Sequence, residues 1–314
     1  MGVAFLLSGQ GAQKPGMGAA LIEQGAPEVA ETFAIASEAF GFDVADVCLN
    51  ASAETLRDTA FAQPAMCTLS VAVAKALEAR GVCPAYVAGF SLGQIAALAV
   101  SGMVSERDAF RIAAFRAKVM AEAAAARPGS MCALLGGGPE EASEVCSSAA
   151  QGDVLVCANY NTPGQIVISG DVAAVDRAAA LWKARPRHKA SMLATSGAFH
   201  SPLMQPAAEA LAEFLEEVEF HEARTPLVCN VDARPLSVAD ARAHLASQVV
   251  SPVLFEQSVH WLSEQGVDTF VECGFGGVLT KLVKRIEPAA ERFAPVSPEE
   301  IAQVASEVAC GGAE

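Results

Sequence analysis

Ser91 has the setting of a nucleophile. It is the centre of Gly89-Phe90-Ser91-Leu92-Gly93, between a short apolar run at 85–88 and a helical apolar stretch at 92–100. Glycines on either side permit a sharp strand-to-helix turn that lifts the hydroxyl clear of a sheet, and the helix N-terminus presents backbone N–H groups to developing negative charge. Without that context the same residue is an ordinary helix N-cap. A neutral hydroxyl also needs a base. Of the five histidines, His221, His244 and His260 fall on charged or amphipathic stretches and read as surface residues, and His188 belongs to a basic cluster. His200 lies between Gly197-Ala198-Phe199 and a helix opened by Ser201-Pro202, where a loop can hold an imidazole over a cleft.

The elements that must carry these groups alternate. Residues 3–7 read as a short buried strand running into a glycine-rich loop at 8–18. Helical spacing follows at 28–40 and 63–80, then the strand and turn around Ser91, then a helix over 105–126 opened by Ser105 and Asp108. The pattern changes at Arg127-Pro128-Gly129. From there the order is strand (131–135), helix (139–149), strand (154–158), strand (165–169), helix (172–184) and strand (189–194), the βαββαβ order of a ferredoxin-like unit. Helices at 202–217 and 239–249 and strands at 227–230 and 269–272 then resume the first pattern, with a last helix running to residue 286. The expectation is an α/β fold. A parallel-sheet, hydrolase-like core comes from residues 1–127 and 197–314, with a ferredoxin-like subdomain inserted at 128–196.

Composition narrows the classes. With 314 residues, 52% hydrophobic and 18% charged, the chain can bury a large core. A net charge of −15 argues against nucleic acid as a partner. The apolar stretch 3–7 is too short for a secretory signal, and no uninterrupted apolar run has the length of a membrane span. Nine cysteines, an odd number with no CxxC pair and no metal-ligand spacing, read as reduced thiols in a cytoplasmic protein.

Five motifs occur in order: Ser8-Gly9-Gln10-Gly11-Ala12-Gln13, Gly89-Phe90-Ser91-Leu92-Gly93-Gln94, Arg116-x-x-x-Met120, Asn159-Tyr160-Asn161-Thr162-Pro163-Gly164-Gln165, and Gly197-Ala198-Phe199-His200-Ser201. Together they resemble the malonyl-CoA:acyl carrier protein transacylase family and the related acyltransferase domains of polyketide synthases, from residue 3 to about 286. The resemblance implies Ser91 as nucleophile and His200 as general base. It implies the backbone N–H groups of Gln10 and Leu92 as an oxyanion hole, and a main-chain carbonyl near Gln248 as the group that orients the histidine. Arg116 is implied as the anchor of the malonyl carboxylate, which a guanidinium fork binds bidentately. Met120 and Phe199 would line the acyl pocket, Phe199 in the malonyl-selective pattern, and Asn161 would lie near the pantetheine arm. No metal or organic cofactor is implied, and the family acts as separate monomers or as domains. The sequence departs from the family at Phe90, where His is common, at Gln94, where Glu is common, and at Phe275, where Pro is usual.

The implied reaction is malonyl transfer by a ping-pong route through a malonyl-serine ester, serving fatty-acid synthesis. A trans-acting polyketide acyltransferase or an acyl hydrolase on the same fold is the alternative. A hydrolase of monocarboxylic acyl groups would have no use for Arg116, and a docking module would need Ser91 to be unreactive. An α/β-hydrolase would carry an HGGG-type loop, and a patatin-like hydrolase an Asp-Gly pair; neither is present. An acidic enzyme meeting an acidic carrier protein needs a local basic patch. The candidates are Lys183, Arg185, Arg187, His188 and Lys189, and Lys281, Lys284 and Arg285 at i, i+3 and i+4 on one helix.

Overall fold

The computed structural model describes residues 2–195 and 197–309. Its strands are β1 (Gly2–Leu7), β2 (Tyr86–Gly89), β3 (Gly129–Leu135), β4 (Leu155–Thr162), β5 (Gln165–Asp171), β6 (Lys189–Met192), β7 (Leu227–Val228), β8 (Val253–Leu254), β9 (Val267–Cys273) and β10 (Glu291–Phe293). The helices before the small sheet are α1 (Ala19–Gln24), α2 (Pro27–Phe40), α3 (Val44–Asn50), α4 (Thr59–Glu78), α5 (Leu92–Ser101) and α6 (Glu106–Ala126). Those after them are α7 (Pro139–Ala150), α8 (Val172–Lys183), α9 (Gln205–Leu215), α10 (Val238–Gln248), α11 (Phe255–Glu264), α12 (Val278–Ile286) and α13 (Pro298–Ala309).

Strand β1 shows why the first sheet is covered on both sides. Val3, Phe5 and Leu7 face one apolar cluster with Met66, Ile95 and Phe110, while Ala4 and Leu6 face a second with Phe255, Phe270 and Leu282. A continuous apolar run is what a strand buried on both faces requires. The sheet runs β10-β9-β1-β2-β7, every pairing parallel. Leu7 is in register with both Gly89 and Cys273, so the loops leaving β1, β2 and β9 emerge side by side at the carboxyl edge. Open α/β sheets bind ligands at that edge.

The second sheet runs β6-β3-β5-β4-β8; its first four strands pair antiparallel. Cys132, Leu134, Ile166 and Ile168 pack on Trp182 and the other buried residues of α7 and α8. From the opposite face Met131, Ala133 and Val167 join the main core. The fifth strand, β8, belongs to the later part of the chain and pairs parallel to β4, with Asn159 opposite Val253. Ser196, at the end of the expected insertion, lies outside the described residues.

Some expectations are revised. The region read as one helix over 202–217 begins with a 3-10 turn, Pro202–Met204, before α9, with Pro202 and Pro206 each lacking the N–H that a continuous helix needs. Helix α11 has no counterpart among the expected elements, because its buried positions Phe255, Ser258, Val259 and Leu262 are interleaved with polar and charged neighbours. Helix α4, although no uninterrupted apolar run marks it, is long and apolar enough to cross a membrane, but 83% of its most apolar stretch is buried inside the fold. Helix α6 has the predicted cap, with the Ser105 side chain accepting from the Asp108 N–H at 3.0 Å. Arg116 and Met120 lie one turn apart on its buried face.

Candidate active site

The turn between β2 and α5 is built by close approach of backbone to backbone. A Cβ on Gly89 would lie 2.0 Å from the Gly93 carbonyl carbon, and one on Gly93 would lie 2.0 Å from the Leu7 oxygen. No residue but glycine fits at either place. Ser91, between them, is held at φ 53°, a left-handed conformation that costs a non-glycine residue energy and persists where surrounding contacts enforce it. Those contacts come from Asn230, just after β7. Its Oδ1 accepts from the Ser91 N–H at 2.8 Å and its Nδ2 donates to the Gly89 carbonyl at 2.6 Å.

His200 Nε2 stands 2.8 Å from Ser91 Oγ. Its Nδ1 lies 2.9 Å from the Gln248 carbonyl oxygen and 3.1 Å from that of Ser251. Carbonyls only accept, so Nδ1 carries the proton and Nε2 is left as the acceptor for the serine hydroxyl. Two main-chain carbonyls occupy the place a carboxylate holds in a hydrolase triad. The imidazole is buried, which pushes its pKa down to about 4; the nearby Arg116 charge pushes the same way, and the two carbonyl bonds partly oppose it.

Arg116 is 1% exposed. Its guanidinium donates to Ser91 Oγ at 3.0 Å, to Gln63 Oε1 at 3.2 Å and to Gln248 Oε1 at 3.2 Å, all neutral acceptors. No carboxylate pairs with it among the described residues, and its Nε–H has no partner. Burial lowers its pKa to about 10, which leaves it charged at neutral pH. A buried cation without an anion is costly unless an anion arrives.

The Gln248 amide joins these groups. Its Nε2 donates to the Ser91 carbonyl, to Gln94 Oε1 and to Asn230 Oδ1 at 3.1–3.3 Å. Gln94 in turn accepts from the Asn230 N–H at 2.8 Å. Leu92 is the first residue of α5, where a helix leaves its N–H without an internal partner. On the β1 side, Ser8 Oγ donates to the buried Glu272 carboxylate at 3.0 Å, which also accepts the Val278 and Thr280 N–H groups. That carboxylate ties the loop carrying Gln10 to the start of α12.

Two adjoining cavities lead to the serine, the inner one lined by it. One of about 290 Å³ is lined by Ser91, His200, Arg116, Met120, Phe199, Leu92 and Gln10. The other, about 390 Å³, shares Gln10, Phe90 and Asn159 with it and continues past Asn161 and Gln165 to Leu279 and Leu282. Every site residue expected from the sequence borders these cavities or touches a residue that does. Asn161 Oδ1 is buried and unpartnered. Phe90, where the family commonly has His, packs edge-on against Phe255.

Asn230 and Gln63 were not singled out from the sequence. The available signal for Asn230 was its place at the end of the strand expected at 227–230. Among the histidines, His221 and His260 are exposed as expected, but His244 is half-buried, with Nδ1 3.4 Å from Cys229 Sγ.

A serine on a strained strand-to-helix turn, an imidazole within hydrogen-bond reach and the Leu92 N–H at a helix start define a site of the serine acyl-transfer class. Residues 4–303 match the model of a family described as acyl transferase domain, and the chain belongs to that family. It is 39% identical over 301 residues to a malonyl CoA-acyl carrier protein transacylase of Bacillus subtilis, covering 95% of each chain. It is 40% identical over 287 residues to one of Escherichia coli, covering 90% of this chain and 92% of that one. Among solved structures, a malonyl-CoA:acyl carrier protein transacylase from Xanthomonas oryzae superposes with a TM-score of 0.93 at 41% identity, covering 97% of this chain and 98% of that one. A malonyl-transacylase in complex with its type II polyketide acyl carrier protein does so with a TM-score of 0.93 at 35% identity, covering 98% and 100%.

Proposed function

We propose that this chain transfers malonyl from malonyl-CoA to the phosphopantetheine thiol of an acyl carrier protein through a malonyl ester of Ser91. The observation that carries the reading is Arg116: a buried, carboxylate-free guanidinium 3.0 Å from the nucleophilic oxygen. An acyl group that brings its own carboxylate supplies the missing anion. Ser91 Oγ attacks the thioester carbon as His200 Nε2 takes its proton. The tetrahedral oxyanion is received by the N–H groups of Leu92 and Gln10. The C–S bond then breaks, and the imidazolium returns the proton to the departing thiolate. The carrier's thiol enters by the same steps in reverse, giving its proton to His200 and releasing the serine.

Asn161 fits the pantetheine arm, since an unpartnered amide oxygen on the cavity wall suits an amide-rich chain. Met120 and Phe199 line the inner cavity and would bound the acyl group, Phe199 in the malonyl-selective pattern that the resemblance implies. The antiparallel sheet supports a ferredoxin-like insertion at 128–196, since its four strands follow the spatial order last-first-third-second. Of the two basic clusters, Lys281, Lys284 and Arg285 fit the carrier better. They are exposed on α12, whose Val278, Leu279 and Leu282 line the outer cavity, and Arg285 donates to Gln165 at its wall. In the other cluster Arg185 is already paired with Glu141. The eight cysteines described are free thiols, which suits a cytoplasmic setting, and the transfer steps call on no cofactor. Fatty-acid synthesis is the pathway this reading favours.

Intact mass after brief exposure to malonyl-CoA tests the reading. The wild-type chain should gain one malonyl group, Ser91→Ala none, and carrier protein should discharge the adduct. Steady CoA release without adduct would overturn it in favour of hydrolysis.

A further inference from the structure

Behind the nucleophile turn, away from both cavities, Cys229, Asp232 and His244 bring a sulfur, a carboxylate oxygen and an imidazole nitrogen within 4.8 Å of one another. We propose that these three side chains form a binding site for a borderline-soft divalent cation of the Zn²⁺ class, with water as its fourth ligand.

Geometry comes first. Tetrahedral zinc, with bonds of about 2.3 Å to sulfur and about 2.0 Å to nitrogen and oxygen, sets its ligands about 3.3–3.5 Å apart. Here Cys229 Sγ is 3.4 Å from His244 Nδ1, and His244 Nδ1 is 3.9 Å from Asp232 Oδ2. Sulfur and nitrogen already stand at that spacing, and the third corner needs the Asp232 carboxylate to swing in by upward of about half an ångström. Asp232 is already oriented for it: Oδ1 accepts the Arg234 N–H at 3.1 Å, leaving Oδ2 to face the imidazole.

Burial pushes the Cys229 thiol up to about 11, and the hydrogen bonds around it oppose that only in part. The backbone N–H groups of Val231 and Asp232 and the Gln94 amide all point at Sγ. Such N–H donors would steady a metal-bound thiolate from outside once the cation has displaced the thiol proton. The turn that aims them is held by the Ala233 N–H to the Cys229 carbonyl and has Ala233 at φ 56°. A strained non-glycine residue at a turn of this kind fits a functional constraint.

Access separates a metal from a substrate. The Cys229 side chain is fully buried and opens onto no cavity described above, so it has no route to a carbon electrophile. The His244 and Asp232 side chains are 29% and 42% exposed, enough for a small cation to enter and keep a water ligand. No metal-ligand spacing marks the chain because the three groups come from the turn after β7 and from α10. A bound ion would join those two elements, which also carry Asn230 and Gln248.

The test uses the full chain, reduced and treated with chelator, titrated with Co²⁺ and then Zn²⁺. One equivalent of Co²⁺ should produce a thiolate-to-cobalt charge-transfer band with tetrahedral visible absorption, and Zn²⁺ should remove it. Zn²⁺ should also raise the melting temperature of the wild-type chain. Cys229→Ala and His244→Ala should lose the band. Asp232→Asn, an exposed change that leaves the core untouched, should weaken Co²⁺ binding about 10–100-fold or more. No thiolate band in the wild type, or a band whose affinity is unmoved by Asp232→Asn and His244→Ala, overturns the proposal.

Discussion

The parallel sheet and the antiparallel sheet contribute different kinds of atom to the cleft. From the parallel side and its helices come Ser91, His200, Arg116 and Gln248, hydrogen-bonded to one another over sequence separations of up to 157 residues, and Gln10, which accepts from Gln63. From the antiparallel side come Met131, Asn159, Asn161 and Val167, which line the cavities without an ionised group among them. Reacting groups must be held to within a fraction of an ångström, and the carboxyl edge of a doubly buried sheet does that. A long, flexible, uncharged arm needs instead a wall of adjustable width. The difference implies that changes on the parallel side alter the chemistry, while changes on the antiparallel side alter binding.

The sharpest way to break that division is His200→Ala, which should lower malonyl loading at least ~10³-fold with little change in fold. In the wild type, Nε2 is neutral above about pH 4, so loading of the free enzyme should stay flat from neutral pH downward and fall only as that value is approached. Because the folded pKa lies below the unfolded value of 6.5, the stability held in the neutral imidazole is fully present above about 6.5 and is lost as pH falls toward about 4. Acid unfolding monitored alongside the rate separates the two effects.

Arg116→Met comes next, with an expected loss of about 100-fold in kcat/KM for malonyl-CoA and a much smaller one for acetyl-CoA. Removing a cation that has no anion should leave the melting temperature unchanged or raise it. It should also move the acid limb of the pH profile upward, since the Arg116 charge is one of the causes holding His200 down. Equal losses for the two thioesters would remove the carboxylate anchor from the argument.

On the other sheet, Asn161→Ala should raise KM for malonyl-CoA by about tenfold and leave kcat nearly untouched, the cost of one hydrogen bond to the arm. A fall in kcat instead would erase the distinction between the two sides. The smallest effect belongs to the rim. Lys284→Glu should raise KM for carrier protein a few-fold, more at low salt, and leave KM for malonyl-CoA alone.

Much of this protein was legible as local pattern. The apolar run of β1, the Ser105 cap of α6, the glycines around Ser91 and the βαββαβ order are each set by residues near one another in the chain, where sterics and hydrogen bonding act directly. Ser91 and His200 were also readable, one from its turn and the other from its loop, and resemblance to a family supplied Arg116, Gln10 and Gln248. Other properties exist only once distant segments meet. The sequence has no sign that Arg116 would be left without a carboxylate, because that depends on which residues reach it from α4, α5 and α10. Asn230 lies 139 positions from the Ser91 N–H it holds. His244 reads as a surface residue until α10 turns it toward Cys229. Composition and spacing determine which elements form and which turns they can make. The packing of those elements decides which polar groups are buried together, and burial sets their charge, their pKa and their chemistry.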